Sequence, residues 1–204
     1  MKKLISLIIV IVLLFAVYTA DPVRVSGGAQ EGPAVGMQIE SFNSADLTGE
    51  KVSSELFSEA ELTVINYWAT WCPPCIREMP EFSKLHKHFF SEGEEGKVQL
   101  IGVICEGNGC TPQSAKAYLD ENGFEWRNIR STAELDKVFY TSNSIPQTLI
   151  VNREGKVLSH RIGAFASYEQ LFEYVSSFLD SAQSPSSAPA VETAKPKAGS
   201  CGGF

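Results

Sequence analysis

Residues 62–90 read LTVINYWATWCPPCIREMPEFSKLHKHFF, and the change of character inside this stretch decides the architecture. Residues 62–68 are a short, mostly apolar run bounded by polar residues, the pattern of a strand buried on both faces. Residues 73–90 read as a helix, with Pro80 inside it as an expected kink. Trp71-Cys72-Pro73-Pro74-Cys75 stands at the junction. Pro73 and Pro74 are tolerated there because the first-turn amides are not needed for helix bonds. The remaining amides and the helix dipole favour negative charge. Cys72 should therefore ionise more readily than a free thiol, and the thiolate is the attacking species. Cys75 lies about one turn later and can attack a mixed disulfide formed at Cys72.

Working outward, residues 42–57 carry an extended stretch turning at Thr48-Gly49, a β-hairpin ahead of the buried strand. Residues 98–104 form a second buried strand. Thr111 caps a helix with Pro112 at its first position, ending near Gly123. Ser131 and Glu134 have the spacing of a capping box for a short helix through Phe139. Strands at 147–151 and 156–162 are joined by the turn Asn152-Arg153-Glu154-Gly155. Ser167 and Gln170 open a last helix, with Leu171, Phe172, Val175, Phe178 and Leu179 on one face. After the hairpin the order is βαβα(α)ββα. That order defines an α/β domain with a mixed sheet flanked by helices and an N-terminal β-hairpin extension.

The ends have a different composition. Lys2 and Lys3 precede an apolar run from residue 4 to residue 20, the layout of an export signal. As a helix it would span about 26 Å, slightly short of a bilayer core of about 30 Å. Cleavage after Ala20 would put Tyr18 where a small residue is wanted, so an uncleaved anchor is favoured over a cleaved signal peptide. Residues 21–36 read as a linker and 37–182 as the folded domain. Residues 183–204 read as a flexible tail carrying Cys201, because Ser, Ala, Pro and Gly dominate it. Of the 204 residues, 17 are Lys or Arg and 24 Asp or Glu, and the net charge of −7 argues against nucleic acid as a partner. Five cysteines leave one thiol unpaired even if two pairs close.

The run Tyr67-Trp68-Ala69-Thr70-Trp71-Cys72-Pro73-Pro74-Cys75, followed by Glu78-Met79-Pro80, resembles the thioredoxin fold. It is most similar to the exported thiol–disulfide oxidoreductases of the TlpA/ResA/CcmG-like family. The resemblance extends over roughly residues 37–180. It implies that Ile145-Pro146, just before a strand, supplies the cis-proline beside the redox pair and shapes the substrate groove. It implies that Trp71 packs beside the pair, with Pro73 and Pro74 shaping the site. Asn66 sits near where cytoplasmic thioredoxins carry a buried Asp, so that acid is absent here. Glu78 resembles an acidic residue that these relatives place near the active site. It follows Cys75 by three residues, on the same helix face, and can exchange a proton with that thiol. The alternative is a solvated Glu favoured by the helix dipole. The resemblance further implies a reductant of client disulfides, among them apocytochrome c or copper-site cysteines. A membrane thiol-electron transporter would feed it, outside the cytoplasm at a bacterial membrane, and no cofactor is needed.

Other residues stay open at this level. Cys105 and Cys110 flank a glycine-rich loop, either as a structural disulfide in an exported protein or as a second redox pair at the functional edge of the sheet. Cys201 is a tethered shuttle thiol, a linkage site, or incidental. His86 and His88 are two apart on a helix and diverge, so no metal site is expected. His160 lies on a strand without a visible ligand partner. Two other functions on the same fold are a thiol peroxidase, whose Thr-x-x-Cys spacing Thr70-Trp71-Cys72 does not match, and a copper-delivery or client-binding module.

Overall fold

The computed structural model describes residues 30–182, apart from 92 and 95. The apolar run at 4–20, with its anchor or leader reading, and the tail with Cys201 lie outside the described residues. Among the described residues no helix is long and apolar enough to cross a membrane.

The central sheet is built on β4 (Leu62–Trp68), every residue of which is buried. It pairs in parallel with β5 (Val98–Ile104) and antiparallel with β7 (Gln147–Asn152). Beyond β5 lies β6 (Arg127–Arg130), parallel, and beyond β7 lies β8 (Val157–Ile162), antiparallel. A two-residue strand β1 (Gln30–Glu31) closes the far side, giving the order β1-β8-β7-β4-β5-β6. The expected hairpin forms a separate small sheet of β2 (Asn43–Ala45) and β3 (Lys51–Ser53), followed by the 3-10 helix Ser54–Glu59. This is a thioredoxin-like α/β fold.

Alternation along β4 divides the core into two layers. Val64 and Trp68 face helices α1 (Pro73–Ser91), α2 (Pro112–Asn122) and α4 (Tyr168–Ala182). Ile65 and Tyr67 face α3 (Ala133–Phe139) and the N-terminal hairpin. Phe82 meets Phe165 edge to face at 6.0 Å between centroids, and Tyr67 stacks on Phe139 at 4.1 Å.

Several sequence expectations need correction. The fold begins before residue 37: Glu31 pairs with Arg161, and Ala34 is fully buried, so part of the supposed linker is an edge of the sheet. β6 escaped detection because only its two middle residues are buried. The cap of α3 is Thr132, whose hydroxyl accepts from the Leu135 amide, while Ser131 bonds the Asp136 carboxylate. At α4, Ser167 accepts from the Gln170 amide as expected, but the Gln170 side chain returns to the Ala166 amide, one residue early. Thr111, Pro112 and left-handed Gly123 bound α2 as read from sequence, and α1 continues through Pro80 as one helix.

Gly102 shows how tightly the α1 face is packed. It stands in register between Asn66 and Asn128. A Cβ at 102 would collide with the Asn128 carboxamide oxygen, which accepts the buried Trp68 indole N–H at 2.9 Å. Gly102→Ala is expected to destabilise the domain by about 1–3 kcal/mol, through overpacking and loss of that hydrogen bond. Urea unfolding checks this, and a midpoint equal to the parent's would refute it.

Candidate active site

The site forms where β4 ends. The Cys105 amide donates to Trp68 O at 2.7 Å, and the Cys72 amide turns back to Ala69 O at 3.2 Å. The chain then enters α1 at Pro73. Cys72 and Cys75 are joined in a disulfide with their Cα atoms 5.3 Å apart. The Cys75 amide donates to Cys72 Sγ at 3.3 Å. Cys72 is 3% exposed and Cys75 fully buried, so the outer sulfur is the one an incoming group reaches first. In the reduced state the amide at the helix start and the helix dipole both stabilise negative charge on Cys72.

Trp71 is 42% exposed and does more than pack beside the pair. Its indole N–H donates to Gly107 O at 2.9 Å, tying the redox loop to the loop of residues 105–110. That second loop carries Cys105 and Cys110 as free thiols, so the structural-disulfide reading does not hold. The backbone between them turns tightly. Gly107, Asn108 and Gly109 have φ of 115°, 49° and 86°, and Gly107 and Cys110 exchange backbone hydrogen bonds at 3.0 and 2.9 Å. The turn sends Cys110 into the core cluster that contains Cys72 and Cys75. Cys105 lies half-buried beside the Tyr67 hydroxyl, whose pKa burial pushes far upward.

On the inner face of the redox helix, Glu78 is 1% exposed, which removes the solvated reading. Asn66, on β4, donates its side-chain amide to Glu78 Oε1 at 3.0 Å. The Phe165 backbone amide donates to Oε2 at 2.9 Å. Burial pushes the Glu78 carboxyl up from 4.5 to about 7, against the pull of those two donors and of Arg161. Asn66 thus stands under an acid supplied by the helix, not in place of one.

Pro146 follows a cis peptide bond and begins the approach to β7, its carbonyl accepting from Gly163 N–H at 2.9 Å. Ile145 packs against both core layers. His86 and His88 diverge as expected: His86 stacks by Phe90 at 5.4 Å, while His88 meets Phe172 at 4.9 Å. Gln147, next to Pro146, was passed over in the sequence, and His160, read there as lacking a ligand partner, proves to be its hydrogen-bond partner. Both are fully buried and bonded to each other.

This arrangement, an oxidisable cysteine pair at a helix start on a thioredoxin-like sheet, defines a thiol–disulfide oxidoreductase. The chain belongs to the AhpC/TSA family, whose model matches residues 35–160. It is 28% identical over 156 residues to the thiol-disulfide oxidoreductase ResA of Bacillus subtilis, covering 76% of this chain and 79% of that protein. ResA of Halalkalibacterium halodurans is 27% identical over 139 residues, covering 68% and 73%. The crystal structure of StoA from Bacillus subtilis superposes with a TM-score of 0.54 at 26% identity, covering 70% of this chain and 98% of that one.

Proposed function

We propose that this protein is a membrane-tethered reductant of disulfides in client proteins outside the cytoplasm. Its clients are of the kind that cytochrome c maturation presents, and a membrane thiol-electron transporter recharges it. The apolar run after Lys2 and Lys3 supports the tether. The observation that carries the chemistry is the pairing of a helix-start Cys72, whose sulfur accepts the Cys75 amide, with a buried Glu78 whose pKa is about 7.

In this reading reduced Cys72, as thiolate, attacks one sulfur of the client disulfide and the other client sulfur leaves. Cys75 then gives its proton to the Glu78 carboxylate and attacks Cys72 Sγ. The Cys72–Cys75 bond forms, and the client sulfurs leave as thiolates, one taking the proton held by Glu78 and the other a proton from water, so that the client departs as a dithiol. Glu78 suits this role because a group with a pKa near ambient pH exists in both the proton-accepting and proton-donating forms. Pro146 and Ile145 border the groove that receives the client, and Pro73 and Pro74 fix the backbone at the helix start.

The reduction potential of Cys72–Cys75 tests the direction, measured on the full chain and on Cys201→Ser. A value near that of thioredoxin, about −270 mV, is the expected result. A value near that of DsbA, about −120 mV, would make the protein an oxidant and overturn the reading. Peroxide turnover or stoichiometric Cu(I) binding in the same samples would favour a thiol peroxidase or a copper carrier instead.

A further inference from the structure

A buried hydrogen-bond chain runs from the N-terminal segment to the residues ahead of Pro146, and the redox chemistry does not use it. Its first link is the Ala34 amide, which donates to His160 Nδ1 at 3.2 Å. Nδ1 is then the acceptor, so Nε2 carries the proton and donates to Gln147 Oε1 at 2.8 Å. The Gln147 amide nitrogen donates in turn to Ser144 O at 2.7 Å and Phe139 O at 3.1 Å, with Ser142 O at 3.4 Å. These carbonyls belong to the end of α3 and the loop leading into Ile145-Pro146. Every donor and acceptor role is assigned in one direction only. Ala34, His160 and Gln147 are all buried, so no water competes for the links through the His160 ring, while the links to Ser142 and Ser144 are part-buried. Burial holds the His160 pKa below its ordinary range, which keeps the ring neutral and both of its roles intact.

The N-terminal end of the chain is clamped independently. Gly32 N–H donates to His160 O, and Gly36 N–H to Val157 O at 2.8 Å. Gly32 passes so close to the His160 ring that a Cβ there would stand inside it. The far end also closes on the site, since Gly163, just past β8, holds the Pro146 carbonyl.

We propose that Gln147 is a positioning residue for client binding, and that docking of residues 30–36 on His160 sets the shape of the segment ahead of Pro146. The inference rests on the reading of Pro146 as a border of the client groove. It predicts that a protein disulfide, which occupies the groove, senses the N-terminal segment. A small disulfide, which needs only Cys72, does not.

The test compares two substrates of the reduced full-length protein, insulin and hydroxyethyl disulfide. Gly32→Ala pushes on the His160 ring from outside the site, and Gln147→Met removes the donor and acceptor at similar size. With insulin, both variants are expected to raise KM about tenfold, with kcat within about twofold of the parent. With hydroxyethyl disulfide, Gly32→Ala is expected to match the parent. The double variant should be no worse than Gln147→Met alone, since both cut one chain. Equal losses on both substrates would mean a merely structural role and overturn the proposal, as would an unchanged insulin KM. A parent protein that reduces neither disulfide would overturn the proposed function and this inference with it.

Discussion

Cys75→Ser is expected to turn the protein into a trap. Reduced Cys72 still attacks a client disulfide, because its helix-start position and the residue-75 amide that meets its sulfur are backbone features unaffected by the substitution. The second step is lost, since a serine hydroxyl does not displace a thiolate from sulfur. The mixed disulfide therefore accumulates at one equivalent per chain, and turnover falls to background. Cys72→Ser loses turnover as completely and traps nothing, because buried Cys75 is shielded from an incoming client. Non-reducing electrophoresis with mass spectrometry reads both results. Equal trapping by the two variants would reverse the assignment of attacking and resolving sulfur.

The second large effect concerns Glu78. Its carboxyl is held at about 7 in the folded protein against an ordinary 4.5. Between those values the folded state binds more protons than the unfolded state, so stability falls as pH rises through that window. The full displacement corresponds to about 3 kcal/mol, present below pH 4.5 and lost above pH 7. Glu78→Gln should abolish this slope and raise stability at pH 8 by about 3 kcal/mol. The packing allows the change. One side-chain oxygen still accepts from Phe165 N–H, and Asn66 Oδ1, which has no partner among the described residues, can accept from the new amide after a flip. The same variant should slow release of the mixed disulfide, because no carboxylate remains to take the Cys75 proton. Urea titrations across pH 5–8 check the first outcome and single-turnover kinetics the second. A Gln variant with the parent's pH slope would show that another group sets it.

The redox pair, its strand and its helix were legible because each depends on local rules. Apolar run, helix-start prolines and cysteine spacing are all contiguous in sequence. Asn66 and Glu78 could be named, but their relation could not, since it depends on residue 66 of a strand meeting residue 78 of a helix and the amide of residue 165. The Cys105–Cys110 disulfide was read from compartment and spacing alone. The structure shows free thiols there, joined by a run of three positive-φ residues, with Cys110 in the core. β1 was invisible because two residues carry no periodicity, and its stability comes entirely from the strand it joins. Gln147 was missed and His160 was left without a partner for the same reason: their partners lie in other elements.

Both flanks of the main sheet are closed by residues from the first quarter of the chain. Along β8 lies the segment of residues 30–39, and against β6 lies the hairpin. There Asp46 bridges Ile129, the Leu47 amide reaches Asn128 O at 3.2 Å, and the Ser44 hydroxyl reaches Arg130 O at 2.7 Å. An open flank is a template on which any extended peptide can add a strand. In the function proposed above, client proteins would present such extended, cysteine-bearing segments. With both β8 and β6 covered in this way, only short stretches of open edge remain among the described residues for an extended client or a second copy to pair with. Contact is directed to the end of the sheet where Cys72 waits, so the early residues of the chain act as a guard against the enzyme's own clientele.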